Sequence, residues 1–205
     1  WPAAARQLDG ITFAQTANAL FQVDDTVYTG NQPLYRVIMT EAERQELDEI
    51  GRNVGGAANS DAEMNGTFIS VEAKGTELRY MMGFRNRGHG SRTARPNNIR
   101  VNFPNDRPWH GGRAINLNTA TTHAQVAGSV AFQKMGLPMA YSRPAQVRVN
   151  GANLANAGAP QFGSYAHNEE LSAEFVTAHW PTDAGGNCYR GIRIDASSVH
   201  ADLTY

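Results

Sequence analysis

Apolar and polar positions change period several times along the chain, and each change marks a predicted element. Residues 1–33 sustain no period: short apolar pieces at Ile11 to Phe13 and Leu20 to Val23 are separated by polar stretches, and Thr29-Gly30-Asn31 carries turn chemistry. This part reads as an irregular lead-in. Leu34 to Met39 is β-rich. Thr40 with Glu43 three residues later forms a capping-box pattern, which predicts a helix through about Ile50, stopped by Gly51, Gly55 and Gly56. After a small polar loop from Arg52 to Asp61, the runs Thr67 to Val71 and Leu78 to Met82 flank Lys74-Gly75-Thr76 and predict an antiparallel hairpin.

Beyond the hairpin, Gly88 to Pro96 is a polar turn region leading into Ile99 to Phe103, an alternating strand with Ile99, Val101 and Phe103 on one face and Arg100 and Asn102 on the other. Ala114 to Leu117 is a further short strand. Thr119 to Met135 predicts a helix with an Ala/Gly face for close packing, stopped by Gly136 and Pro138. Strands follow at Ala145 to Val149 and Phe162 to Ala166, then a short helix from Ser172 to Trp180 ended by Pro181, and a last strand from Cys188 to Ile194. This order has no strict βαβ alternation, so the expected class is α+β, a mainly antiparallel sheet with two to three helices.

Composition narrows the picture. With 41% apolar and 18% charged residues and a net charge of −1, the 205-residue chain should fold and bury a core. No apolar run is long enough to span a bilayer. The start at Trp1-Pro2-Ala3 suggests a removed leader or an excised piece. Cys188 is the single cysteine, which excludes an internal disulfide and a cysteine-based zinc site.

Charge is partitioned along the chain. Residues 1–77 sum to −7 and residues 169–205 to −4, whereas Arg79 to Asn168 sums to +10 with Asp106 as its only acid. Sixteen of the 18 cations are arginine, the exceptions being Lys74 and Lys134, and arginine favours bidentate contacts to carboxylate or phosphate. The basic block suits either pairing with the acidic flanks or facing an external anion. Its densest part is Arg85-Asn86-Arg87-Gly88-His89-Gly90-Ser91-Arg92. A strand running into Gly88 and Gly90 can turn sharply and present backbone N–H groups, with Ser91 adding a donor and Arg85, Arg87 and Arg92 adding charge. A phosphate seat and a turn whose arginines pair with the acidic N-terminal part both fit this stretch.

The motif series resembles the spore-coat CotH-type kinase family. Arg85-x-Arg87-Gly88-x-x-Ser91 is followed by a strand at Asn98 to Phe103, a helix ending in Phe132-x-x-Met135-Gly136-Leu137-Pro138, then Val147-Arg148-Val149-Asn150-Gly151, and Gly163-x-Tyr165-x-x-x-Glu169 before a helix. The resemblance covers about Leu34 to Ile194, with a longer insertion at Ala152 to Gln161. It implies the small lobe and hinge of an atypical protein-kinase-like fold over residues 34–205 with the second lobe absent, a secreted or cell-surface location, and ATP with Mg or Mn as cofactor. It also implies that Gly88 to Arg92 covers the phosphates, that the strand 98–103 carries the phosphate-binding residue, and that Glu169 lies at the hinge. The strand offers Arg100 where the family has lysine, and the helix contains no acid, so the lysine–glutamate pair of a kinase is missing. After Glu174 only Asp183, Asp195 and Asp202 remain, none in an arrangement suited to Mg²⁺.

Two functions are therefore expected. One is a catalytically inactive surface or coat module that binds an acidic protein or polymer, or further copies of itself, through Arg85, Arg87, Gly88, Gly90, Ser91, Arg92, Arg100 and Glu169; nucleic acid is set aside as a partner. The other is an ATP-dependent protein Ser/Thr kinase of the CotH type completed by a second lobe. Other features carry less. The six histidines show no metal-ligand spacing. Glu169 and Glu170 diverge on any regular element, which argues against a paired acid and base. Asp106 to Gly112 reads as a turn anchored by Trp109, with a sugar or base contact as the alternative. Asn65-Gly66-Thr67 is a glycosylation sequon, relevant only in a eukaryotic secretory host.

Overall fold

The computed structural model describes residues 19–52, 60–88, 91–93, 95–157, 164–186, 189–192 and 202–204. The chain divides into two compact units between Glu170 and Leu171. The first contains β1 (Leu34–Ile38), α1 (Glu41–Arg52), β2 (Met64–Glu72), β3 (Gly75–Asn86), β4 (Ile99–Asn102), β5 (Ala114–Asn118), α2 (Thr122–Lys134), β6 (Ser142–Val149) and β7 (Tyr165–Glu169). The second contains α3 (Ala173–His179), β8 (Arg190–Ile192) and β9 (Asp202–Thr204), with β8 and β9 paired antiparallel.

The seven strands of the first unit close into a barrel in the order β1-β2-β3-β4-β5-β7-β6. Every junction is antiparallel except the closing one, where β1 runs parallel to β6 with Tyr35 opposite Val147 and Val37 opposite Val149. This corrects the expected kinase-like small lobe and hinge: the sheet is a closed wall. The physical reason is that β1 has a neighbour on each side, so the ladder leaves no edge strand in the ring. Alternation along each strand drives closure by sending one set of side chains inward. Tyr35, Val37, Phe68, Phe84, Ile99, Val101, Leu117, Val147 and Tyr165 are almost completely buried in a single core. Each such side chain is worth about 1.5–3 kcal/mol of burial.

The predicted capping box forms at α1. The Glu43 N–H donates to Thr40 Oγ1 and the Thr40 N–H to Glu43 Oε2, both at 3.3 Å. The hairpin is present and longer than expected, joined by the two-residue turn Ala73-Lys74. At α2 the Ala/Gly face is not the packing face. Ala124, Ala127 and Ala131 are exposed, and the buried members are Thr122 and Ser129. Small side chains offer little apolar area, and the helix is held instead by polar bonds such as Ser129 Oγ to Ala140 O at 2.7 Å. Two strands expected at 162–166 and 188–194 lie partly outside the described residues; Tyr165 and Ala166 fall in β7 and Arg190–Ile192 forms β8, while Ser164 and Tyr189 precede them. Among the described residues no helix is long and apolar enough to cross a membrane.

Candidate functional site

The residues that alternate with the core on β3, β4, β5 and β7 face away from it, and they place arginines and amides side by side. In register, Arg85 lies opposite Arg100, Arg100 opposite Asn116, and Asn116 opposite Asn168. Arg87 sits one pitch beyond Arg85 and donates through Nη1 to Asn118 Oδ1. Asn118 Nδ2 in turn donates to Gln125 Oε1 of α2 at 2.8 Å, and Asn168 Nδ2 donates to the same oxygen at 2.7 Å. The amide of Gln125 therefore ties α2 to the wall beneath it. Asn116 Oδ1 is buried and accepts no hydrogen bond among the described residues.

Electrostatics divide these arginines. Arg85 Nη1 meets Asp61 Oδ1 at 2.6 Å, and Arg92 Nη2 meets the same oxygen. Arg100 pairs with Glu170 and donates through Nε to Asn102 Oδ1 at 2.7 Å; Asn102 Nδ2 donates to Glu63. Arg87 is different, because its hydrogen-bond partner is a neutral amide. Burial first, and then the charges of Arg100 and Arg85 beside it, depress its affinity for its own proton. Glu170 opposes this more weakly.

The described residues of the turn after β3 are tied down by specific bonds. Gly88 has φ +113°, where a side chain is strained, and a Cβ there would stand 2.7 Å from Ser91 Oγ and 3.1 Å from the Arg92 nitrogen. Asn86 Nδ2 donates to Arg92 O at 3.1 Å. Asn98, which is fully buried, gives its Nδ2 to Ser91 O at 3.0 Å and Ser91 Oγ at 3.1 Å, while its Oδ1 accepts from the Thr119 N–H at 2.8 Å and the Thr119 hydroxyl at 3.1 Å. Asn98 thus joins the glycine turn to the β5–α2 connection. Sequence reading assigned it no role.

The structure brings Arg85, Arg87, Gly88, Ser91, Arg92 and Arg100 into this region. Gly90 lies outside the described residues. Glu169 is engaged at the start of β6: its Oε2 accepts from the Tyr141 N–H at 3.0 Å, and its own N–H donates to Tyr141 O at 2.8 Å. That exchange explains Glu169 as a strand-pairing clasp.

A second polar cluster lies inside the barrel, at the end where β1 and β6 begin. Tyr35 is fully buried, and its hydroxyl stands 2.8 Å from His167 Nδ1 and 3.2 Å from Glu72 Oε1. Arg143 donates through Nη2 to the Tyr35 oxygen at 2.7 Å and to Glu72 Oε1, and through Nε to His167 Nδ1 at 3.3 Å. A nitrogen that faces an arginine donor must itself accept, so His167 is neutral with its proton on Nε2. Burial, with Arg143 and His110 nearby, lowers its pKa to about 3. Burial likewise pushes the Tyr35 hydroxyl upward. Trp109 closes the cluster: it is buried, stacks on His110 at 4.1 Å, and gives its Nε1–H to Ser70 Oγ at 3.3 Å. Its position is that of a core anchor. Among the described residues no group of three potential metal ligands forms.

No protein-family model and no curated protein matches the chain, so the CotH resemblance rests on the motifs quoted above.

Proposed function

We propose that the chain is a non-catalytic anion-binding module whose arginine face takes a ligand with two or more adjacent negative groups, such as a phosphate chain or a run of carboxylates. The observation that carries this reading is Arg87. It is a largely desolvated guanidinium held beside two others and bonded to a neutral amide, an arrangement that a bound anion relieves. Two further features support it. Ser91 and Arg92, next to Arg87 in the glycine turn, are pinned by Asn98 and Asn86, so their positions are set before any ligand arrives. Gln125, the α2 residue tied to this face, is an amide, and Asp61 and Glu170 are ion-paired with arginines, so among the described residues this face offers no spare carboxylate pair for phosphoryl transfer. The CotH resemblance supports a surface or coat setting for such a module.

Thermal melting with inorganic triphosphate tests the reading. At a hundred times its dissociation constant the ligand adds about 2.7 kcal/mol of stability, and the melting temperature rises accordingly. Arg85→Ala combined with Arg87→Ala abolishes the rise. A chain whose melting is indifferent to triphosphate and to polyglutamate has no such function. A rise that requires ATP with Mg²⁺ or Mn²⁺ and is absent with triphosphate replaces this reading by a nucleotide-specific one.

A further inference from the structure

The barrel end that holds Tyr35 and His167 opens into a cavity of about 770 Å³. Barrel mouths are frequent sites for small ligands, and this volume is in the range such sites occupy. Its lining includes Tyr28, Glu72, Lys74, His110, Arg143 and Pro144. These come from the lead-in, the β2–β3 turn, the β4–β5 turn and the start of β6. Segments distant in the chain therefore converge on one hollow.

The polar lining is unequal in what it leaves open. Arg143 engages His167, Tyr35 and Glu72 through Nε and Nη2, while Nη1 donates to no acceptor among the described residues. The guanidinium is thereby fixed in orientation with one donor in reserve. Glu72 is occupied by that same arginine, and its other oxygen faces His110 Nε2 at 3.9 Å. His110 also lies 3.4 Å from Glu77 Oε1, and Glu77 pairs with Arg79. Lys74 is exposed on the β2–β3 turn and adds a mobile cation to the rim. The acids are thus matched within the protein, and the donors left over are cationic. The Tyr28 ring, Val71, Ala73 and two prolines add apolar surface to the wall, beside the neutral amides of Asn31 and Gln32.

We infer that the barrel mouth binds a small organic anion, one carboxylate or phosphate group on a ring-sized apolar body, with Arg143 and Lys74 holding the charged group. This site is separate from the arginine face and does not depend on it.

Benzoate, phenyl phosphate and neutral benzamide are titrated into the whole chain while backbone amide shifts are followed by NMR. Benzoate or phenyl phosphate moves the amides of residues 31, 72–74 and 110 saturably, and the tighter of the two identifies the charged group. Benzamide binds about tenfold more weakly or worse, because it leaves the cationic donors unmatched. Lys74→Gln, at an exposed position, weakens the anion about threefold while the melting temperature in the absence of ligand stays unchanged. Arg143→Lys keeps the charge beside Glu72 but loses the fork, and it weakens binding further; if that variant does not fold, Lys74→Gln and benzamide decide the matter. Equal binding of benzamide, no saturable shift at these residues, or shifts confined to residues 85–88 and 100 overturns the inference. The last of these outcomes leaves the arginine face standing.

Discussion

The arginine face gathers several guanidinium groups and the barrel mouth holds one, Arg143, and the two regions hold them in opposite ways. At the mouth, Arg143 is surrounded by Glu72, Tyr35 and His167, each bonded to it, and Tyr35 also bonds to Glu72 and to His167, so charge and hydrogen bonds close on themselves. On the outer face, Arg85 and Arg92 share one largely exposed carboxylate, and Arg87 has a neutral partner. The first arrangement builds the protein and keeps one donor over. The second leaves positive charge incompletely matched, which is the condition for taking an external anion. Removing the buried guanidinium at the mouth should therefore cost stability, whereas removing one on the face should cost mainly binding.

The largest effect is expected from Arg143→Met, which strands Glu72 in a mostly buried position without its cation. Loss of one partner of such a pair costs about 3–5 kcal/mol, toward the lower end here because the side chains keep 24% and 12% exposure. Urea unfolding measures it, and a loss below 1 kcal/mol would remove the contrast. Acid acts on the same cluster. The folded pKa of His167, at about 3, lies below the ordinary value of 6.5, so the unfolded chain binds the extra proton between those limits. Stability is accordingly complete above about pH 6.5 and falls by a few kcal/mol as the pH drops toward 3. His167→Gln should flatten that slope. The exposed carboxylates of Asp24 and Glu41, lowered to about 2 by their hydrogen bonds, act in a lower window that overlaps only the acid end of the His167 range, losing their contribution as the pH falls from the usual carboxylate range toward 2. Chemical denaturation across the pH range separates the two.

Asn98→Ala comes next. It removes the bonds to Ser91 and Thr119 together, and a cost of about 2 kcal/mol is expected for orphaning buried backbone groups. Loosening of the glycine turn should also weaken anion binding, so this variant links fold to function. Arg85→Met stands at the small end. Its ion pair with a carboxylate exposed to 63% should change stability by less than about 1 kcal/mol, and a change as large as that of Arg143→Met would make the two regions alike.

The sequence made one of these regions visible and concealed the other. The basic block could be counted, and alternation at Ile99 to Phe103 already set Arg100 on the face opposite the core. The capping box at Thr40 and Glu43 was legible because its chemistry is local. Barrel closure was not, because it depends on β1 pairing with β6 more than a hundred residues away, and each strand's own alternation is the same in an open sheet and a closed one. The inner cluster was hidden for a related reason. Tyr35 and His167 are 132 residues apart, and neither has a neighbour in sequence that hints at the other. Expecting a kinase-like lobe came from motif order, which preserves the sequence of elements but says nothing about whether the sheet closes. Arg85, Arg92 and Glu169 show the complementary lesson, since residue type alone did not show the internal partners, Asp61 and the Tyr141 backbone, that the fold supplies to them.

The most direct test follows backbone amides while inorganic triphosphate is added to the wild-type chain and to Arg87→Gln. Saturable shifts at residues 85–88, 100, 118 and 168, with affinity about tenfold lower in the variant, are the predicted result. Triphosphate that leaves those amides still, or that binds the variant as tightly as the wild type, contradicts the account.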